Sequence, residues 1–396
     1  MNKTVKLSLL TTLIAGILYA EEVQTGNIFA DGNVSGQIRA VYADYDQKEE
    51  ATNKDRFGTA IGGFLKFETA SLEGLNAAVA FTTSQDVGFA TGDKETNENN
   101  NELSSSAGNY TQLSQAYINY AYDTFNFRAG RQTIDTPLAD SDDIRMIANT
   151  FEATIATYTF SDFTFTAGNL QQWQGFDAGL DDAWVNTGED GTWFGGITYG
   201  GAVNVNAWAY NITKLVNASY IDGEFSYELT DEVSFLAALQ YLHESELENS
   251  GVEAQIYGAK AELSLYGIGF NLAYNKAEKK EGKESFSGFG GGALFTSMDM
   301  MILDEIASDR EASATLGGVS YALGDVNFFY FYGDFIGEAD GAGDKAHRVE
   351  QNIGFEYTAN EAFFAALMYA LQEDKEAAAH NENDWSRLQV TLNYNF

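Results

Sequence analysis

From residue 33 to the last residue the chain alternates apolar and polar side chains with period two, in runs of about ten residues bounded by turns or polar stretches. Val34, Gly36, Ile38, Ala40 and Tyr42 share one face of the first run, and Ser35, Gln37, Arg39 and Ala43 share the other. Ile61, Gly63, Leu65 and Phe67 repeat the pattern, and the last run is Leu388, Val390, Leu392, Tyr394 and Phe396. Successive strand residues point to opposite faces, so each run reads as a strand with one oily and one wet side. With 39 glycines and a single proline, little interrupts such strands except turns.

The connections alternate too. Turns of two to four residues, such as Glu73-Gly74, Asp123-Thr124 and Ser161-Asp162, follow long polar segments near 46–56, 86–109, 133–150, 174–190, 243–253, 276–311, 336–348 and 373–384. Short turns at one end and long loops at the other are the signature of a membrane β-barrel, and runs of about ten residues suit tilted strands crossing the hydrocarbon layer. The fold class expected is all-β, a transmembrane antiparallel barrel of about 18 strands. The weakest runs lie around 152–160, 192–199 and 218–229. An even count puts both ends of the barrel on the periplasmic side. A soluble sandwich or propeller shares the alternation but not the short/long rhythm. No segment reads as a transmembrane helix.

The first residues have a different pattern. Lys3 and Lys6 precede an apolar stretch from Leu7 to Tyr19, and Ala20 stands before Glu21-Glu22. This is a secretory signal peptide over 1–20, cleaved after Ala20, with Leu18 an unusual residue two before the cut. An uncleaved anchor is the alternative, but its apolar run is short for a span. The barrel domain is then 21–396. Removing both lysines takes the formal charge from −36 to −38. Such an excess of acid excludes nucleic-acid binding by charge attraction. The absence of cysteine excludes disulfides, thiolate metal sites and thiol nucleophiles. At 44% hydrophobic the chain is too apolar to be a disordered acidic tail.

Residues 130–154, GRQTIDTPLADSDDIRMIANTFEAT, contain the only proline, Pro137. Here the chain resembles the OprD-like outer-membrane porins and the related porins of epsilon-proteobacteria. Their inward-folding loop carries a proline and then Asp-x-Arg-x-x-Pro-x-Thr-Phe; Pro137, Asp143, Arg145, Thr150 and Phe151 match, while Ala148 replaces the second proline. The segment Val34 to Gly74 is similar to the family's first hairpin. The resemblance implies that the third long loop folds into the barrel and builds a constriction from Asp135, Asp140, Asp142, Asp143 and Arg145. A barrel this wide is open unless something folds inside, and irregular backbone at membrane depth must line a wet cavity or pack on protein. An ordinary extracellular loop is the other reading.

If the apolar face meets lipid, Arg39, Lys66, Arg128, Lys260 and Arg387 face the lumen with Glu68, Glu262 and Glu356, because a mid-strand Arg or Lys facing lipid would cost ~2–4 kcal/mol. The resemblance implies that these cations form a basic ladder opposite the acidic loop; wall residues paired with neighbouring Glu are the plainer alternative. His243, His347 and His380 fall in loops, with no partner at ligand spacing. Asp140-Ser141-Asp142-Asp143 offers oxygens for a weak Ca²⁺ site but lacks the Gly and Glu of a dedicated loop. Gly288 to Gly292 lacks the Lys-Ser/Thr of a phosphate loop and reads as flexible. Met298, Met301, Ile302 and Glu305 stand at helical spacing, predicting a short helix over 296–307.

The function expected is therefore a porin: a water-filled channel for passive diffusion of small hydrophilic solutes and ions, without catalysis or cofactor, in the outer membrane. Its partners would be outer-membrane lipid and lipopolysaccharide, those solutes, and the barrel assembly machinery through the terminal aromatic Phe396. The oligomer is open between homotrimer and monomer. An adhesin or structural barrel with a blocked lumen, or a barrel enzyme, are the competing classes; an enzyme needs a nucleophile and base at the rim.

Overall fold

The computed structural model describes residues 28–48, 53–93, 98, 100, 102–103, 108–179, 184–376 and 384–396, so residues 1–20 with the proposed cleavage site, and His380, lie outside the described residues. Among the described residues, eighteen antiparallel strands close into one barrel, from Asn33–Lys48 to Trp385–Asn395. The three weakest runs are strands Thr150–Phe160, Thr192–Gly200 and Val216–Thr230. Closure comes from the first and last strands, which pair from Gln37 opposite Asn395 to Gln47 opposite Trp385. Phe396 extends that seam, its N–H donating to Gly36 O at 3.0 Å and its carbonyl accepting from Gly36 N at 2.9 Å. A Cβ on Gly36 would sit 2.6 Å from Phe396 Cζ, so the bare glycine is what lets the terminal ring lie across the seam.

The turns at the end holding both termini are tight for a stated reason. Glu73-Gly74 and Tyr266-Gly267 each have positive φ at both residues (50° and 87°, 51° and 84°). That twist matches the twist of the strands it joins. The outward face carries the apolar set: Ile38 is 54% exposed and Leu239 68%. An apolar belt of this extent suits lipid, not water.

Two departures from the alternating pattern matter. Strands Asn204–Ile212 and Val216–Thr230 are joined at the long-loop end by Thr213, Lys214 and Leu215 alone, with Lys214 at φ 61°. Three residues there break the short/long rhythm, which is why that connection is missing from the loops read in the sequence. The inner face is also not uniformly polar. Phe151, Trp173, Phe194, Tyr210, Ile212, Val216, Tyr220, Leu242 and Ile256 point inward and are buried in the main hydrophobic cluster. Their cover is not water but two loops, which bring Ile134, Leu138, Phe289, Leu294, Met301, Leu303 and Ile306 into the same cluster. An apolar wall patch draws loops inward by the ordinary drive to remove apolar surface from water.

Candidate functional site

The third loop at this end, residues 133–149, folds into the barrel. Asp135-Thr136 and Ala139-Asp140 pair as a miniature hairpin, with Pro137 at the turn position where its fixed φ fits. The turn residue Leu138 is 2% exposed, and its N–H donates to Tyr210 Oη at 3.4 Å.

The seventh loop, 278–311, lies against this hairpin. Asp140 N donates to Phe289 O (2.9 Å) and Phe289 N to Leu138 O (3.0 Å), while the Phe289 ring meets Trp173 edge-on at 5.4 Å. Gly290 stands at φ 124°, and a Cβ there would be 2.5 Å from Asp140 O. The glycine run 288–292 therefore serves close backbone approach and is not a free loop. The helix expected over 296–307 shrinks to one 3₁₀ turn, Leu303–Ile306, because Met298 and Met301 are drawn into packing instead.

Beyond the hairpin the third loop is pinned by charge. Arg39 on the first strand, 3% exposed, grips Asp143 bidentately (2.6 and 2.8 Å) and donates to Arg145 O at 2.6 Å. Arg145, 2% exposed, has its Nε 3.1 Å from Glu102 Oε2 of the second loop and its Nη1 3.5 Å from Asp299 Oδ1 of the seventh. Arg387 on the last strand reaches the same two carboxylates, both at 2.8 Å. Three arginines thus meet three carboxylates beside the closure seam. Asp143 and Ile144 remain exposed on the loop surface.

The other acids of the loop gather separately. Asp135 accepts from Ser141 N and Oγ. Asp140 accepts from Asp142 N at 2.7 Å, and burial raises its carboxyl. Asp142 faces Asp177 of the fourth loop; burial first, then Asp177 and Asp140, push it up to about 7 against the pull of Arg145. Asn149 ties the group together, donating to Asp177 Oδ2 at 2.6 Å and Asp140 O at 3.3 Å. The four acids of 135–143 therefore point to different partners. Among the described residues no group of three His, Cys, Asp or Glu side chains is arranged to hold a metal ion.

Of the five cations read from the sequence as lumen-facing, four descend one arc of the wall, and Arg56, opposite Tyr45 as Arg387 is, shares that face. Arg387 lies opposite Tyr45 and Lys66 opposite Ser35, with Arg39 between those levels. Arg128 follows near the turn end, opposite Asn119, and shares the ring of Tyr117 with Lys66 (4.4 and 5.2 Å to its centroid). Lys260 stands apart on Ala254–Leu265, paired with Glu262 at 3.2 Å. Lys66 likewise pairs with Glu68 at 3.1 Å.

Sequence reading missed Glu102 and Asp299, because nothing local marks an acid in a polar loop as inward-facing. It also put His243 and His347 in loops. Both lie at strand ends, in Val233–Glu246 and Ala346–Thr358, since those strands run past the hydrocarbon layer. His347 Nε2 is 2.7 Å from Asp334 Oδ1, and His243 Nδ1 has no hydrogen-bond partner among the described residues.

Residues 27–396 match the family model described as outer membrane porin, OprD family. No curated protein matches the chain in sequence. Among solved structures, Pseudomonas aeruginosa OpdK, crystallised with vanillate, superposes with a TM-score of 0.78 at 14% identity, over 93% of this chain and 100% of that one. Acinetobacter baumannii OccAB2 gives 0.76 at 15% over 94% and 99%, and P. aeruginosa OpdQ 0.73 at 13% over 93% and 98%. At such identities the likeness shows the fold.

Proposed function

The chain belongs to the OprD family of outer membrane porins, barrels that let small solutes diffuse passively across the outer membrane, and we propose that its third loop sets the constriction of that channel. The observation that carries this is the clamp of Arg39 on Asp143 and on the backbone of Arg145, which holds an acidic loop inside the barrel. Asp143, exposed on the loop surface, stands at the narrowing, with Arg145 buried behind it and Asp135, Asp140 and Asp142 alongside. Of the expected basic ladder, Lys66 and Arg128 line the wall that a solute passes and Lys260 contributes from the other side, whereas Arg39 and Arg387 are covered by the loops they hold. Small hydrophilic solutes and ions are the cargo, with modest cation preference.

The same reading extends to the rest of the molecule. Residues 1–20 are removed on export, and Phe396 at the seam is the residue read by the barrel assembly machinery. The outward belt contacts lipid, and lipopolysaccharide at the long-loop end. The channel works without cofactor and without catalysis, as a homotrimer or as a monomer.

Purified protein in planar bilayers tests the reading. Stable conductance steps are expected, grouped in threes for a trimer. Folded protein that stays electrically silent would overturn the channel assignment and favour an adhesin.

A further inference from the structure

Two carboxylates from different loops each touch the same two arginines. Glu102 Oε2 lies 3.1 Å from Arg145 Nε and 2.8 Å from Arg387 Nη2; Asp299 places one oxygen 3.5 Å from Arg145 Nη1 and the other 2.8 Å from Arg387 Nη1. Both guanidinium groups are almost fully buried, and the Asp299 side chain is only 4% exposed. Without these acids, two like charges would be held together away from water, which is costly.

Resting on the reading of the third loop as the constriction, we propose that Glu102 of the second loop, with Asp299, is a positioning and selectivity residue of the channel. The pair latches the third loop to the seam by bridging Arg145 to Arg387. Glu102 adds a second-loop residue to the constriction, so residues of three loops rather than one set it.

The latch has a charge consequence that a purely steric prop lacks. Arg39, Arg145 and Arg387 are balanced by Asp143, Glu102 and Asp299, so these six charges sum to zero, with the carboxyl of Glu350 held beside Asp299 by Met300 N and Met301 N. Glu102→Gln leaves the six one positive charge in excess, and Arg387→Gln leaves them one negative. A unit charge within about 7 Å of a permeating ion in water changes its local concentration ~2- to 3-fold.

The test is reversal potential across a KCl gradient at low salt for wild type, Glu102→Gln, Arg387→Gln and the double variant. Because K⁺ and Cl⁻ respond in opposite directions and the two factors multiply, the K⁺/Cl⁻ permeability ratio should fall ~4-fold in the first variant, rise ~4-fold in the second, and return towards wild type in the double. Shifts of the same sign in both single variants, or no shift in Glu102→Gln, would overturn the proposal. Wild-type conductance in the same series tests the open channel separately. A second readout does not depend on conduction. Phenylglyoxal, small enough to enter the lumen, should label Arg145 several-fold faster in Glu102→Gln than in wild type. Equal labelling would sink the latch.

Discussion

Asp142 sits where the third, fourth and seventh loops converge, and its environment decides its charge. Asp177 and Asp140 face it from the fourth loop and its own, Asp135 lies beyond them, and Arg145 is the one cation whose pull on it registers. The seventh loop meets it with Gly291, which has no charge to offer. Burial and the two neighbouring acids hold its carboxyl near 7. It is therefore neutral below that pH and −1 above it. Cation preference should strengthen as pH rises from about 6 to 8, and Asp142→Asn should flatten that rise, read from reversal potentials across the range. A rise of undiminished size in the variant would assign the titration elsewhere. None of this environment was legible in the sequence. The run Asp140-Ser141-Asp142-Asp143 shows four polar residues, yet Asp143 meets Arg39, 104 positions away, while Asp142 meets Asp177. Adjacency along the chain says nothing about which acid finds a cation.

Strands and loops were legible to different degrees, and the reason is physical. A strand writes its two faces into the sequence at period two, so even the weak run 192–199 is found, as Thr192–Gly200. A loop's position depends on contacts with distant residues and leaves no period. The inward fold of the third loop was readable only through Pro137 and the Asp143–Phe151 motif. That of the seventh was not, because its evidence is spread over Phe289, Met301 and the wall residues they meet. The two loops now share one apolar cluster, which changes what a deletion does. Removing Asp140 to Arg145 takes away the grip on Arg39 and should raise single-channel conductance. The seventh loop still occupies the lumen, so the gain should stay below that of a variant that also lacks 287–295. Equal conductance in the two deletions would mean that the seventh loop adds nothing to the narrowing. Unchanged conductance in the first would place the third loop off the path.

For the whole molecule, ion preference is a contest between distant and near charges. The chain carries 58 acidic against 22 basic residues, and many of the acids sit in loops around one mouth. One charge at 10 Å in water contributes ~0.4 kcal/mol, and physiological salt screens beyond ~8 Å. Loop acids therefore act together and at low salt. At the constriction the account is different, since Arg39, Arg145 and Arg387 are each matched by a carboxylate within 4 Å. The basic groups that would make an anion filter are thus largely spent on holding loops in place. Lys66 and Lys260 are paired with Glu68 and Glu262 in the same way. Arg128, held by Asn119 and the Tyr117 ring, and Arg56, held by Gln47 and the Tyr45 ring, are lumen-face cations without a carboxylate among their described partners. Two such charges cannot outweigh the mouth. The channel should be weakly cation-selective, with the preference fading as KCl is raised from about 0.1 M to 1 M, where the Debye length falls to ~3 Å. Reversal potentials at fixed gradient and rising mean salt measure this. Anion selectivity at low salt would show that the arginines act on the permeating ion despite their partners, and a preference independent of salt would move its origin from the mouth to the buried acids of the constriction.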